Sequence, residues 1–121
     1  MYPPIFSVCS ANSGVTAVLG SSPCRLYPFG EAPDNIAAPY AVWQTISGSS
    51  ENYLGNSPDA DNFVIQVDVY ADSASAARAA ALALRNAIES SAYVLAWNGE
   101  TRDPDTNRYR YSFDVSWIVQ R

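Results

Sequence analysis

A chain of 121 residues has the length of one domain and can bury a core of its own without a disulfide or a metal. Its hydrophobic share of 48% is that of a globular protein, and its net charge of −5 excludes a nucleic-acid grip built on clustered cations. All seven cations are arginine and histidine is absent, so the commonest general base and metal ligand are both missing and an enzyme would lack its usual apparatus.

The opening Met-Tyr-Pro-Pro-Ile-Phe has no basic region, and no apolar run reaches membrane-spanning length. A soluble protein made in the cytosol is expected. Pro3 and Pro4 suit the first turn of a helix, and Ile5, Val8 and Cys9 follow at helical spacing. Gly14 reads as an interruption, Val15, Val18 and Leu19 continue the stripe, and Gly20 stops it. The prediction is a short helix in one or two pieces. Cys9 and Cys24 are too few and too far apart for a zinc ribbon or a C-x-x-C pair, and read as reduced, partly buried thiols.

Arg25 to Tyr27 reads as a short strand, and the prolines between Pro28 and Pro39 predict an irregular connector. Tyr40 to Ile46 is a second strand. Ser47 to Asp61 reads as a long polar loop, of the kind that is functional or flexible, with Tyr53 and Leu54 as apolar islands that should touch something.

From Phe63 the period is two: Phe63, Ile65, Val67, Val69 and Ala71 alternate with Val64, Gln66, Asp68 and Tyr70, as in a strand with one face buried. After Asp72 the period becomes helical. Ala77, Ala80, Ala81, Leu84, Ala87 and Ile88 share a face, Asp72 or Ser73 is placed to cap, and Arg78, Arg85 and Glu89 lie opposite. An alanine stripe lets the helix lie close on a sheet, so the bulk of the core must come from the strands.

Tyr93 to Trp97 is a further strand, with Asn98-Gly99 as a bulge or tight turn. Asp103 to Asn107 is the preferred hairpin tip, because Pro104 fits the second turn position and Asn107 tolerates a left-handed backbone. In the last strand Tyr109, Tyr111, Phe113, Val115, Trp117 and Val119 alternate with a mostly polar set. The fold expected is α+β: one domain over residues 1–121, with a mostly antiparallel sheet of four to five strands and two helical segments packed on one face.

Three groupings invite chemistry. Asp68 and Asp114 would lie on the polar faces of neighbouring strands, as a carboxylate pair for acid–base work would, but Arg110 shares that face and a mixed-charge exposed sheet is the better reading. Asp59 and Asp61, with Glu51 and Asn56, offer oxygen ligands without the spacing of a calcium loop, and read as a solvated acidic loop. Arg102, Arg108 and Arg110 gather around the hairpin tip among Glu100, Asp103 and Asp105. They suit a salt-bridged hairpin or a protein interface better than a phosphate site. No catalytic residue, cofactor or metal is expected.

Whole segments carry a resemblance: Arg25-Leu-Tyr-Pro-Phe-Gly-Glu-Ala-Pro, Pro39-Tyr-Ala-Val-Trp-Gln-Thr-Ile, Gln66-Val-Asp-Val-Tyr-Ala-Asp-Ser and Arg108-Tyr-Arg-Tyr-Ser-Phe-Asp-Val-Ser-Trp. Over nearly its whole length the chain resembles the tail completion, or tail terminator, proteins of long-tailed bacteriophages and related prophages. The resemblance implies a structural virion protein, assembled in the host cytoplasm and ending at the head-proximal end of the tail. There a homohexameric ring would cap the tail tube, stop its polymerisation and join the head. The implied partners are further copies of the chain, the tube protein and a head completion or connector protein. DNA would pass through the ring without sequence-specific binding, and no membrane is involved. The residues expected at interfaces are read from this sequence and not carried over from the family: Glu51, Tyr53, Leu54, Asp59 and Asp61 in the loop, and Arg102, Arg108 and Arg110 at the hairpin. The alternatives are a head completion protein, or a small α+β enzyme or ligand-binding domain with a pocket between the connector and the sheet.

Overall fold

The computed structural model describes residues 3–21, 23–33, 35–50, 60–105 and 107–121. Helices α1 (Ile5–Ser10) and α2 (Ser13–Leu19) precede strands β1 (Leu26–Pro28), β2 (Tyr40–Ser50) and β3 (Ala60–Ala71). Helix α3 (Ala74–Ile88) leads into the hairpin of β4 (Tyr93–Arg102) and β5 (Tyr109–Gln120). The sheet has five strands in the order β1-β2-β3-β5-β4, antiparallel throughout except for the parallel pair β1 and β2. This is the expected α+β fold with a mostly antiparallel sheet.

The two periodicities meet in one core. Ile65, Val67 and Val69 of β3 and Phe113, Val115 and Trp117 of β5 face Ala80, Ala81, Leu84, Ala87 and Ile88 of α3, and Ile5, Cys9, Val15 and Leu19 of α1 and α2 close the same cluster. All three helices therefore cover one face of the sheet. Phe113 is fully buried, and truncating such a ring to alanine costs about 3–5 kcal/mol. Ser73, rather than Asp72, caps α3, its hydroxyl accepting the Ala76 N–H at 3.2 Å.

Several boundaries differ from the sequence reading. The N-terminal helix breaks at Ala11 and Asn12, and Gly14 sits inside α2. The cause is a cap: Asn12 has extended backbone and its side-chain oxygen accepts the Val15 N–H at 3.2 Å, so a new helix starts there. Strand β2 runs on through Ser47-Gly48-Ser49-Ser50, and β3 begins at Ala60, because Ser50 pairs with Asp61 and Gly48 with Phe63. A partner strand gives those polar residues a ladder that their composition alone does not promise. Of the predicted loop, residues 47–50, 60 and 61 are thus strand, and Glu51, Tyr53, Leu54 and Asp59 lie outside the described residues. Asn98-Gly99 is a bulge, not a turn, with a register shift between Trp97 and Gly99. The hairpin closes at the expected tip, where Asn107 is left-handed at φ 60° and its N–H donates to the Asp103 carbonyl at 2.8 Å.

Arg25 ties the connector to the helices: its Nε donates to the Pro39 carbonyl at 2.9 Å and its Nη2 to the Val18 carbonyl at 3.2 Å. Cys9 and Cys24 are buried free thiols. Burial, and to a lesser degree the nearby Cys24, push the Cys9 thiol up to about 12.

Candidate assembly surface

Helices on one face leave the other face of the sheet and its edges for contact with anything else. On the outer face, the β3–β5 register sets Gln66 opposite Asp114 and Asp68 opposite Ser112, so the two aspartates are diagonal neighbours and not a facing pair. Each has its own donor. Asp68 accepts from Arg110 Nη2 at 2.9 Å and Gln66 Nε2 at 3.2 Å, while Asp114 accepts from Asn98 Nδ2 at 2.9 Å. These contacts satisfy the carboxylates as a hydrogen-bonded polar face, the bland reading preferred from the sequence.

The three hairpin arginines do not form one patch. Arg102 pairs with Tyr109 and Thr101 with Arg110, which places Arg102 on the helix side and Arg110 on the outer face, since neighbouring strand residues point to opposite sides. Arg102 stacks over the Tyr109 ring at 5.4 Å. Arg108 donates to the Ile36 carbonyl at 2.8 Å and lies over the Tyr40 ring at 5.3 Å, bracing the connector. Arg110 serves Asp68. Asp61 pairs with Arg121 at 2.8 Å, and that hydrogen bond holds its carboxyl below the usual carboxylate range. Arg121 also reaches the Ser50 hydroxyl at 3.1 Å, so this end of the ladder is tied across β2 and β3.

Between connector and sheet lies a cavity of about 420 Å³ lined by Ala32, Pro33, Asn35, Ile36, Tyr40, Asp105 and Arg108. Among the described residues that line it, the charged groups are the Asp105 carboxylate and the Arg108 guanidinium. Among the described residues no group of three or more His, Cys, Asp or Glu side chains is placed to hold a metal ion, and no helix is long and apolar enough to cross a membrane.

The surface that departs most from a self-sufficient monomer is at the β4 edge. Every residue of β4 except Val94 is exposed. Tyr93, Leu95 and Trp97 are 72%, 55% and 42% exposed, and Leu82 on α3 is 46% exposed. A long edge strand with unpaired backbone groups and apolar side chains is a ready template for another chain. Between α3 and β4 runs a groove of about 360 Å³ lined by Arg78, Ala81, Leu82, Arg85, Trp97 and Tyr111. Trp97 packs edge-on against Tyr111, with ring centroids 5.2 Å apart, and this contact shapes the floor. Both rim arginines hold a local acid: Arg78 grips Glu100 through two bonds of 2.9 and 3.1 Å, and Arg85 lies 3.3 Å from Glu89.

Sequence reasoning passed over this groove. The available signal was Leu82, a large apolar residue on a helix whose buried stripe is complete without it, followed by a tryptophan at the end of a short apolar run. Among the described residues a second open edge runs along β2 beyond Trp43, since β1 pairs only with Ala41, Val42 and Trp43.

Comparison with known proteins agrees with this architecture. No curated protein matches the chain. Among solved structures that match, a chain in the virion of a native gene transfer agent (GTA) particle superposes with a TM-score of 0.71 at 17% identity, over 97% of this chain and 92% of that one. Likeness at that identity shows a shared fold. The family model described as tail completion protein gp17 matches residues 3–120. The chain thus belongs to the tail completion protein family and is a structural protein of the virion tail.

Proposed function

We propose that the protein is a tail terminator: a ring, six-fold in the simplest case, that seats on the head-proximal end of the tail tube, ends its polymerisation and presents the surface that the head completion protein joins. The observation that carries the reading is the open β4 edge with its apolar groove, in a chain of this family. A sheet edge of that length is unfavourable to leave bare and is satisfied by a neighbour. Identical subunits joined head-to-tail close into a ring when the rotation between them divides a full turn.

Capping follows from asymmetry. One face of the ring matches the growing tube end and the other offers no second such site, so addition ceases. The acidic balance suits an annulus that DNA traverses without adhering. In this reading the partners are further copies of the chain, the tube protein and the head connector, and neither cofactor nor catalysis is involved. The loop residues Glu51, Tyr53, Leu54 and Asp59 remain proposed contacts, with Arg102 as the hairpin cation left on the exposed helix side. Asp61, Arg108 and Arg110 act first within the subunit.

The test is tube assembly in vitro. Purified tube subunits polymerised with this protein should give tubes with a ring at one end and an arrested length. Tubes that grow to the same lengths with or without it, with the protein monomeric in solution, would overturn the reading.

A further inference from the structure

The groove between α3 and β4 is open, apolar and flanked by two arginines, and a segment of the same chain has the complementary character. Residues 51–59 read Glu-Asn-Tyr-Leu-Gly-Asn-Ser-Pro-Asp, an apolar pair set between acidic ends. We propose that this groove is the socket into which Tyr53 and Leu54 of the neighbouring copy insert, so that each subunit is plug to one neighbour and socket to the other. The inference rests on the ring reading above and names its interface.

Covalent geometry decides that the plug belongs to another copy. Leu54 follows Ser50 by four residues, so an extended chain carries it at most about 14 Å from the end of β2, whatever conformation the segment takes. The register sets Ser50 beside Asp61 and Asp61 beside Val119, whereas Trp97 pairs with Phe113. Six residues along β5 and three strand spacings from β2 to β4 separate Ser50 from the groove by roughly 25 Å. Tyr111 lies farther still. The chain's own segment falls short of its own groove, even with a side chain's length added.

Charge points the same way. The chain carries seven cations in all, and two of them, Arg78 and Arg85, stand at this groove. Their partners Glu100 and Glu89 hold them in exposed pairs, which exchange readily because such pairs are weak. Glu51 and Asp59 of an incoming segment can share those guanidinium groups while the apolar pair covers Leu82 and Trp97. Plug and socket are different surfaces, which makes the contact heterologous, as a closed ring requires.

The experiment mixes two full-length variants, Leu54→Cys and Leu82→Cys, with tube subunits, joins thiols with a short bismaleimide, and images the same sample. Native Cys9 and Cys24 are buried and do not compete. The expected result is a covalent dimer that appears when the two variants are mixed and is at least tenfold weaker with either alone. Rings at tube ends without that dimer overturn the socket while leaving the ring reading standing, and absence of rings with the unmodified chain overturns the ring reading itself. A second variant covers failure of the linker geometry. Leu82→Asp, at an exposed site, should keep the melting temperature of the parent and reduce the capped fraction of tubes about tenfold. Normal capping by that folded variant overturns the proposal. So does loss of tube binding by preformed Leu82→Asp rings, which would assign the groove to the tube subunit instead.

Discussion

Arg25 shows how one side chain joins two parts of the fold. Its guanidinium satisfies the Val18 carbonyl near the end of α2 and the Pro39 carbonyl at the end of the connector. Charge-assisted bonds of this kind contribute about 1.5–3 kcal/mol, and Arg25→Ala leaves both acceptors in a partly buried place. Chemical denaturation should show a loss of about 2 kcal/mol, with Arg25→Lys failing to restore it, because an ammonium cannot span both carbonyls as a planar fork does. The buried thiols give a second residue-scale expectation. Cys9 is raised from 9.0 to about 12, so the folded state keeps a proton that the unfolded state gives up. Stability from this group is fully present below pH 9.0 and declines as pH rises toward about 12. At pH 8 neither thiol of the native protein should react with a disulfide reagent, while both react in denaturant; stoichiometric reaction of the native protein would contradict the burial. Asp61 has the opposite sign. Its carboxyl is lowered by Arg121, so its contribution is present above the ordinary carboxylate range and is lost as pH falls through its own lowered value. Asp61→Asn should flatten the acid limb of the stability–pH profile.

Among the elements, those with a strict period were legible in the sequence. The alternation of β3 and β5 and the alanine stripe of α3 each dictate one buried face, and those faces meet in the core. What was illegible depends on a neighbour. Ser47 to Ser50 forms strand because β3 lies beside it, and Asn12 outranks Gly14 as the helix boundary because its side chain reaches a backbone N–H. The α3–β4 groove was hidden for the same reason: nothing in Leu82 or Trp97 says that β4 is the last strand, and only the sheet order leaves them uncovered. The hairpin arginines were legible as a local cluster, but the partners of Arg108 and Arg110 were not, since Ile36, Tyr40 and Asp68 lie far along the chain. Gly99 is an element-scale test of the β4 bulge. Its φ is +102°, and a Cβ there would meet no other atom, so substitution is penalised through the backbone alone. Gly99→Ala should lower stability by about 1–2 kcal/mol in thermal unfolding, and an unchanged melting temperature would show that the bulge relaxes.

For the whole molecule, the architecture separates what holds the fold from what meets a partner. Helices on one side, a hydrogen-bonded polar face on the other and a braced connector leave the sheet edges, β4 above all, as the described surface open to a partner. On the proposed ring, that division gives the exposed Tyr93, Leu95 and Trp97 of β4 a partner to cover them. It also predicts that damage at the edge leaves a folded but non-assembling protein. The most direct test is the length distribution of tubes grown from purified tube subunits with and without this protein, scored by imaging. The account predicts arrested tubes bearing one ring at a single end; tubes of unaltered length with bare ends would contradict it.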